Sequence, residues 1–211
     1  MLLDVFNDNP FDTNCWVVSA DGSEEAVVVD PGFEPAAVRL MTARAGRRLA
    51  AVLATHGHAD HIGSAPGVCG EDVPLYIHQA DERALTDQQA WGAGFPAEGN
   101  FRPAEVRTVT DGDVLDFAGF RIEVVHTPGH TPGHVCYRTD GLVFSGDLVF
   151  RGSIGRSDFP NSDPAAMETS LRRFLELPDE LPVYPGHGPE TTVGLERATN
   201  EWLAALAAPR E

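Results

Sequence analysis

The chain of 211 residues carries 32 acidic and 15 basic side chains, a formal charge of −17. Such an acidic surface excludes nucleic acid as a partner, because a polyanion is bound through basic groups that displace its counterions, and it disfavours an anionic membrane for the same reason. All 15 basic residues are Arg, so neither a Schiff-base lysine nor the Lys of a phosphate-binding loop is available.

Taken in order, Leu2 to Phe6 and Cys15 to Ala20 read as short strands joined by a turn rich in Asn, Asp and Pro. Ala26 to Val29 is a buried-strand run that ends at the turn signal Asp30-Pro31-Gly32. Pro35 to Ala45 places apolar residues at Val38, Leu40 and Met41, the pattern of an amphipathic helix opening on Pro. Leu49 to Ala54 is a further strand. Pro74 to Ile77 is another, and Ala80 to Leu85 is expected to be helical. From Thr86 to Pro103 the chain carries Trp91, Phe95 and Phe101 among Gly and Pro without periodicity, as expected of a lid or substrate loop or of a plug for the core. Val106 to Val109, Val114 to Phe117 and Phe120 to Val125 form a strand-rich block with Asp111-Gly112 and Ala118-Gly119 as turns. Val135 to Tyr137 and Leu142 to Phe144 follow. Pro164 to Leu177 is a helix with Ser162 or Asp163 as its N-cap, Pro182 to Tyr184 a last strand, and Val193 to Ala208 a last helix.

These elements make two passes of several strands followed by helix. They lack the regular alternation of a doubly wound sheet, and two mixed sheets packed face to face with helices outside suit them best. The length fits one domain over residues 1–211. Met1 to Asp8 shows no basic segment leading into an apolar one, and no apolar run approaches membrane-spanning length. Cys15, Cys69 and Cys136 are odd in number and widely spaced, as expected for reduced, buried thiols. A cytoplasmic protein without a membrane partner is expected.

The densest chemistry lies in Thr55-His56-Gly57-His58-Ala59-Asp60-His61, directly behind the Leu49–Ala54 strand. Loops held by a rigid scaffold are where ligands and catalytic groups are usually placed. His56 and His58 would point to opposite sides of an extended chain, so a bend must follow the strand for both to converge. Asp60 and His61, being adjacent, are expected to diverge, and the four groups then suit two neighbouring ions better than one. Three more strands end in metal-capable groups. His126-Thr127-Pro128-Gly129-His130-Thr131-Pro132-Gly133-His134 follows Ile122 to Val125, Ser145-Gly146-Asp147 follows Leu142 to Phe144, and Pro185-Gly186-His187-Gly188 follows Val183-Tyr184.

With His-x-His-x-Asp-His, a downstream His, an Asp and a last His, the sequence resembles the metallo-β-lactamase superfamily. The resemblance implies an α/β fold, an αββα sandwich of two mixed β-sheets flanked by helices. It also implies a ligand set of His56, His58 and His130 for one metal and Asp60, His61 and His187 for a second, with Asp147 shared. Gly152-Ser153-Ile154-Gly155-Arg156-Ser157-Asp158-Phe159-Pro160 and Pro185-Gly186-His187-Gly188-Pro189-Glu190-Thr191-Thr192 resemble the short bacterial glyoxalase-II-like hydrolases, relatives of hydroxyacylglutathione hydrolase. The extra helical C-terminal region of full-length glyoxalase II is not expected here, since the sequence stops at Glu211, soon after the last core helix.

Five imidazoles and two carboxylates suit Zn²⁺, with Fe and Mn as alternatives. Two such ions sharing a water lower its pKa from 15.7 towards roughly 7. The expected activity is hydrolysis of a small-molecule thioester of the S-D-lactoylglutathione kind by that bridging hydroxide, with Asp60 and Asp147 as the catalytic carboxylates. Arg156 is expected to bind the substrate through its planar fork. His126 and His134, which flank His130, are expected to orient the ligands, the resemblance implies the same of Asp30 and Asp158, and His78 is expected to be an ordinary histidine. The competing enzymatic reading is a mononuclear-iron persulfide dioxygenase on His56, His130 and Asp147, since Arg156-Ser157-Asp158-Phe159 resembles the Arg-x-Asp-Phe turn of that branch. A non-catalytic metal-binding module is the third.

Overall fold

The computed structural model describes residues 1–88 and 100–207. Six strands, β1 (Leu2–Phe6), β2 (Cys15–Ser19), β3 (Glu25–Val29), β4 (Arg48–Leu53), β5 (Leu75–His78) and β6 (Val106–Val109), form one sheet in chain order. The pairs from β1 to β3 are antiparallel and those from β3 to β6 parallel. Helix α1 (Pro35–Arg44) crosses between β3 and β4, and the short turns of helix α2 (Ala59–Ile62) and α3 (Ala65–Cys69) between β4 and β5, as parallel neighbours require.

The second sheet is built from β7 (Val114–Phe117), β8 (Phe120–His126), β9 (Val135–Arg138) and β10 (Val143–Gly146), a meander. After a small hairpin of β11 (Val149–Phe150) and β12 (Ser153–Ile154) and helix α4 (Pro164–Phe174), the chain returns as β13 (Pro182–Pro185), parallel to β10, with β14 (Thr191–Thr192) outside it. Helices α5 (Val193–Thr199) and α6 (Glu201–Ala207) follow. Both sheets are mixed, and helices flank the pair.

Strand alternation sorts the core into layers. Trp16, Val18, Val27, Val29, Ala51 and Leu53 meet Ile122, Val124, Val135, Tyr137 and Phe144 between the sheets. Their neighbours Val17, Val28 and Val52 face the other way, towards Val38 and Val68. The outer face of the second sheet is covered by Met167, Leu171, Phe174 and Leu203. Because both faces of β2, β3 and β4 are buried, they read as continuous apolar runs rather than alternating ones. Cys15, Cys69 and Cys136 are buried free thiols, and burial pushes those of Cys69 and Cys136 up to about 12.

Some boundaries differ from the sequence expectation. The segment expected as a helix over 80–85 is a single 3₁₀ turn, Glu82–Leu85. The last helix is two, because Asn200 leaves helical geometry at ψ 112° and caps the next turn through Asn200 Oδ1, which accepts from Trp202 N. Helix α4 stops at Phe174, and Asp163 caps it by accepting from the backbone of Ala165 and Ala166. Of the 86–103 segment, Phe101 packs against the core, while Trp91 and Phe95 lie outside the described residues. Among the described residues no helix is long and apolar enough to cross a membrane.

Candidate metal centre

The strand ends at one edge of the sandwich carry the cluster. β3 ends at Asp30, whose left-handed backbone (φ 51°) turns its carboxylate across the end of β4. There Asp30 accepts from Thr55 N at 2.7 Å and Thr55 Oγ1 at 2.8 Å. His56 Nδ1 lies 3.0 Å from the same Thr55 oxygen. Since that hydroxyl already gives its proton to Asp30, it accepts from His56, and His56 Nε2 keeps its lone pair for the cluster. Asp30 also takes His61 Nδ1 at 2.9 Å. In the neutral ring this leaves the His61 Nε2 lone pair facing inward.

The bend expected after the strand is present and has a cause. Gly57 N donates to Asp81 Oδ2 at 2.9 Å, so the chain folds over and brings His56 Nε2 to 2.9 Å from His58 Nδ1. The same carboxylate accepts from Thr131 Oγ1 and Gly133 N, each at 2.6 Å, and so ties the His130 loop to the His56 loop. Burial raises the Asp81 pKa to about 6 against these three hydrogen bonds.

His130 Nδ1 donates to the Arg156 carbonyl at 2.7 Å. Its loop is pinned to α4, with Ser162 Oγ donating to His130 O and Ser170 Oγ to Pro128 O. Asp147 follows a register slip between Phe144 and Gly146, a bulge that turns its carboxylate into the cluster. Gly146 is left-handed (φ +48°), and a Cβ there would lie 2.6 Å from Thr55 Oγ1, so only Gly fits. Asp147 N donates to His134 Nε2 at 3.0 Å, and His134 Nδ1 donates to Thr127 Oγ1 at 2.9 Å.

The seven side chains converge. His56, His58 and His130 have ligand atoms within 4.8 Å of one another, as do His56, His61 and Asp147, and Asp60, His61 and His187. Asp60 Oδ2 lies 3.4 Å from His61 Nε2 and 3.3 Å from His187 Nε2, so the neighbours Asp60 and His61 do not diverge. They sit in the helical turn Ala59–Ile62 rather than in extended chain, where adjacent side chains point to opposite sides. Asp147 reaches both groups, with Oδ1 3.4 Å from His61 Nε2 and Oδ2 3.4 Å from His130 Nε2.

Electrostatics separate the imidazoles. Burial first, then the neighbouring rings, hold His56, His58 and His134 well below the usual histidine value. Burial acts the same way on His61, but Asp60, Asp147 and Asp30 outweigh it and raise His61 well above. His187 is raised too, its burial outweighed by the hydrogen bond to Asp60 and the charge of Asp147. Burial pushes Asp60 up, yet His61 and His187 hold it well below the carboxylate range.

The donor set fits divalent cations. His58 Nε2, His130 Nε2 and Asp147 Oδ1 are buried without a hydrogen-bond partner among the described residues, a costly arrangement for polar atoms unless a further group completes it. Imidazole with carboxylate is the ligand chemistry of zinc, iron and manganese.

Other expected site residues sit elsewhere. His126 stacks on His78 at 4.1 Å and contacts the Pro132 carbonyl at 2.9 Å, touching none of the seven. Asp158 pairs with Arg156 in solvent, their side chains 69% and 66% exposed. It is the Arg156 carbonyl that contacts a candidate ligand. The Arg156 guanidinium lies 4.5 Å above the Phe159 ring, and Phe159 packs edge-on to His58 and His130. Sequence reasoning named Phe159 only as part of a motif, with no role at the cluster, and missed Asp81, Thr13 and Asn14. The polar tract between the first two strands, with Asn9, Thr13 and Asn14, was the available signal for the last two.

The profile of the family described as "Metallo-beta-lactamase superfamily" matches residues 8–187. A probable metallo-hydrolase of Bacillus subtilis, YqgX, is 35% identical, over 92% of this chain and 93% of its own. A hydroxyacylglutathione hydrolase of Haemophilus influenzae, GloC, is 32% identical, over 96% and 98%. Among solved structures, the BLEG-1 B3 metallo-beta-lactamase superposes with a TM-score of 0.87 at 34% identity, covering 96% of this chain and 99% of its own. TTHA1623 in a di-iron-bound form gives 0.79 at 40%, covering 96% and 100%. ETHE1 from Myxococcus xanthus gives 0.80 at 27%, covering 100% and 93%.

Proposed function

Because the chain belongs to the metallo-beta-lactamase superfamily and is a metal-dependent hydrolase by that kinship, we propose that its substrates are thioesters of the S-2-hydroxyacyl-thiol kind, S-D-lactoylglutathione being the type compound. The observation that carries the two-ion form of this reading is the Asp147 carboxylate, which faces His130 with one oxygen and His61 with the other. His56, His58 and His130 would hold one ion, Asp60, His61 and His187 the other, and Asp147 both. Two divalent ions, zinc first and iron or manganese as alternatives, would supply Lewis acidity and a water acidic enough to act at neutral pH.

The chain's own groups set the conditions around that chemistry. The chain from His56 through Thr55 to Asp30 holds one ring nitrogen in each of His56 and His61 protonated and the other free. Asp60, held as a carboxylate by His61 and His187, would take a hydrogen bond from a water supplied at the ions and orient it. Phe159 walls one side, keeping bulk water from His58 and His130. Arg156, exposed at the rim and paired with Asp158 through two nitrogens, is the fork that would exchange Asp158 for a carboxylate on the thiol carrier. The 32% identity to a hydroxyacylglutathione hydrolase supports the substrate class.

A mononuclear-iron persulfide dioxygenase on His56, His130 and Asp147 is the competing reading, supported by the likeness to ETHE1 from Myxococcus xanthus. It leaves Asp60, His61 and His187 without a task. Thiol release from S-D-lactoylglutathione by protein carrying two metals supports the hydrolase. Oxygen uptake with glutathione persulfide by protein carrying one iron replaces it with the dioxygenase.

A further inference from the structure

We infer that Thr13 and Asn14, in the turn between β1 and β2, are positioning residues for one ion position only, the one formed by Asp60, His61 and His187. The inference rests on the two-ion reading above. Thr13 Oγ1 donates to Asp60 Oδ2 at 3.1 Å, the same oxygen that faces both His61 and His187. Thr13 also pairs with His187 as an isolated antiparallel bridge. Asn14 then grips the loop on both sides of His187. Its Nδ2 donates to the carbonyls of Pro185 at 3.0 Å and Gly188 at 2.7 Å, and its backbone N to Gly186 O at 2.7 Å. Thr13 and Asn14 are fully buried, so the bonds to Asp60 and to the Pro185 carbonyl form away from competing water.

The turn is itself rigid. Asn9 accepts from the backbone of Phe11 and Thr13 and donates to the Thr13 carbonyl. The side chain that orients Asp60 is therefore fixed from behind.

The two groups of ligands have separate supports. Asp81 ties together the loops that carry His56, His58 and His130, and among the described residues Thr13 and Asn14 hydrogen-bond to Asp60 and to the His187 loop but to none of those three histidines. The supported group is also the more open one, since the His187 side chain is 28% exposed while His56, His58 and His130 are all buried. Ligands that gain little from burial depend most on the groups behind them. A carboxylate ligand needs an oriented oxygen, and loss of an outer hydrogen bond of this kind typically costs ~10–100-fold in metal affinity.

The test is titration of the metal-free protein with Co²⁺, read by visible absorption and elemental analysis. Three variants are compared with the parent: Thr13→Val, the same shape without a donor; Thr13→Ser, which keeps the donor; and Asn14→Asp, which turns a carboxylate on two carbonyls. The expected result is that Thr13→Val and Asn14→Asp bind the first equivalent as the parent does and the second ~10-fold or more weakly, with Thr13→Ser close to the parent. If Asn14→Asp does not fold, the Val/Ser pair decides alone. Equal weakening of both equivalents, an unchanged second equivalent, or a Ser variant as weak as Val overturns the inference while leaving the two-ion reading in place. A parent protein that saturates at one equivalent overturns both.

Discussion

Replacing Gly186 by Ala tests the compactness of the cluster without touching a ligand. Gly186 is not among the left-handed glycines, so Ala meets no backbone strain there. Its Cβ, however, would lie 2.7 Å from His61 Cε1 and closer still to Asp147 Oδ1. Non-bonded carbons rest at ~3.5–4.0 Å, so the His61 ring and the Asp147 carboxylate must give way by roughly 1 Å. His61 is held from behind by Asp30 and cannot retreat freely, while Asp147 is anchored through its backbone N on His134 and its carboxylate must swing away. A displacement of ~1 Å at a reacting centre costs about 10²-fold, equivalent to ~2.7 kcal/mol of transition-state stabilisation. The expected result is a kcat/KM for thioester hydrolysis lower by about two orders of magnitude. Metal affinity should weaken, and the melting temperature of the metal-free protein should fall as well, because overpacking of this kind costs about 1–3 kcal/mol. A Gly186→Ala enzyme with parental kcat/KM and full metal content would refute the reasoning that these groups are packed around a common point.

Three further outcomes follow from the same contacts. Asp30→Asn, kept in place by Thr55 N, turns its amide on the His61 ring and forces the proton onto His61 Nε2. Metal affinity measured by competition with a chelator should fall ~10–100-fold, and a parental affinity would show that Asp30 does not set the tautomer. In the metal-free protein, the raised His61 and His187 contribute stability that is complete below the ordinary histidine value of 6.5 and lost as pH rises through their folded values. The lowered His56, His58 and His134 act oppositely, losing stability as pH falls below 6.5 because the unfolded chain then binds more protons. Melting temperature against pH should therefore peak near 6.5, and added metal should move the peak upward by replacing the protons on His61 and His187; a flat or monotonic metal-free profile would contradict this. Arg156→Ala should raise KM for substrates with a carboxylate on the thiol carrier and leave kcat and melting temperature near parental, and an unchanged KM would remove Arg156 from substrate binding.

What could be read along the chain was whatever depends on near neighbours. Strands β2, β3 and β4 show as apolar runs because both of their faces are buried. The four segments that carry the candidate ligands were legible because each follows a strand and the strands of a layered sheet end along common edges, while the choice of the seven among their polar residues rested on the resemblance. Helix α4 announced its start through Asp163 and Pro164, a local interaction. The misread elements were those where a local pattern met a tertiary partner, such as the 3₁₀ turn after β5 whose Asp81 is drawn to Gly57, Thr131 and Gly133.

By itself, then, the order of residues carried the layers and the metal-capable strand ends, because periodicity and strand-end chemistry act within a few positions, while the family and the candidate ligand set came from the resemblance of its motif. Only the tertiary structure decided which groups stand behind the ligands. It brought Asn14 onto Pro185 and Gly188 from more than 170 positions away, left His126 and Asp158 outside the cluster, and turned the neighbours Asp60 and His61 towards one point. Spacing along a chain carries no information about such contacts. They form only when burial in the folded protein removes water as the competing partner and each polar group must find another.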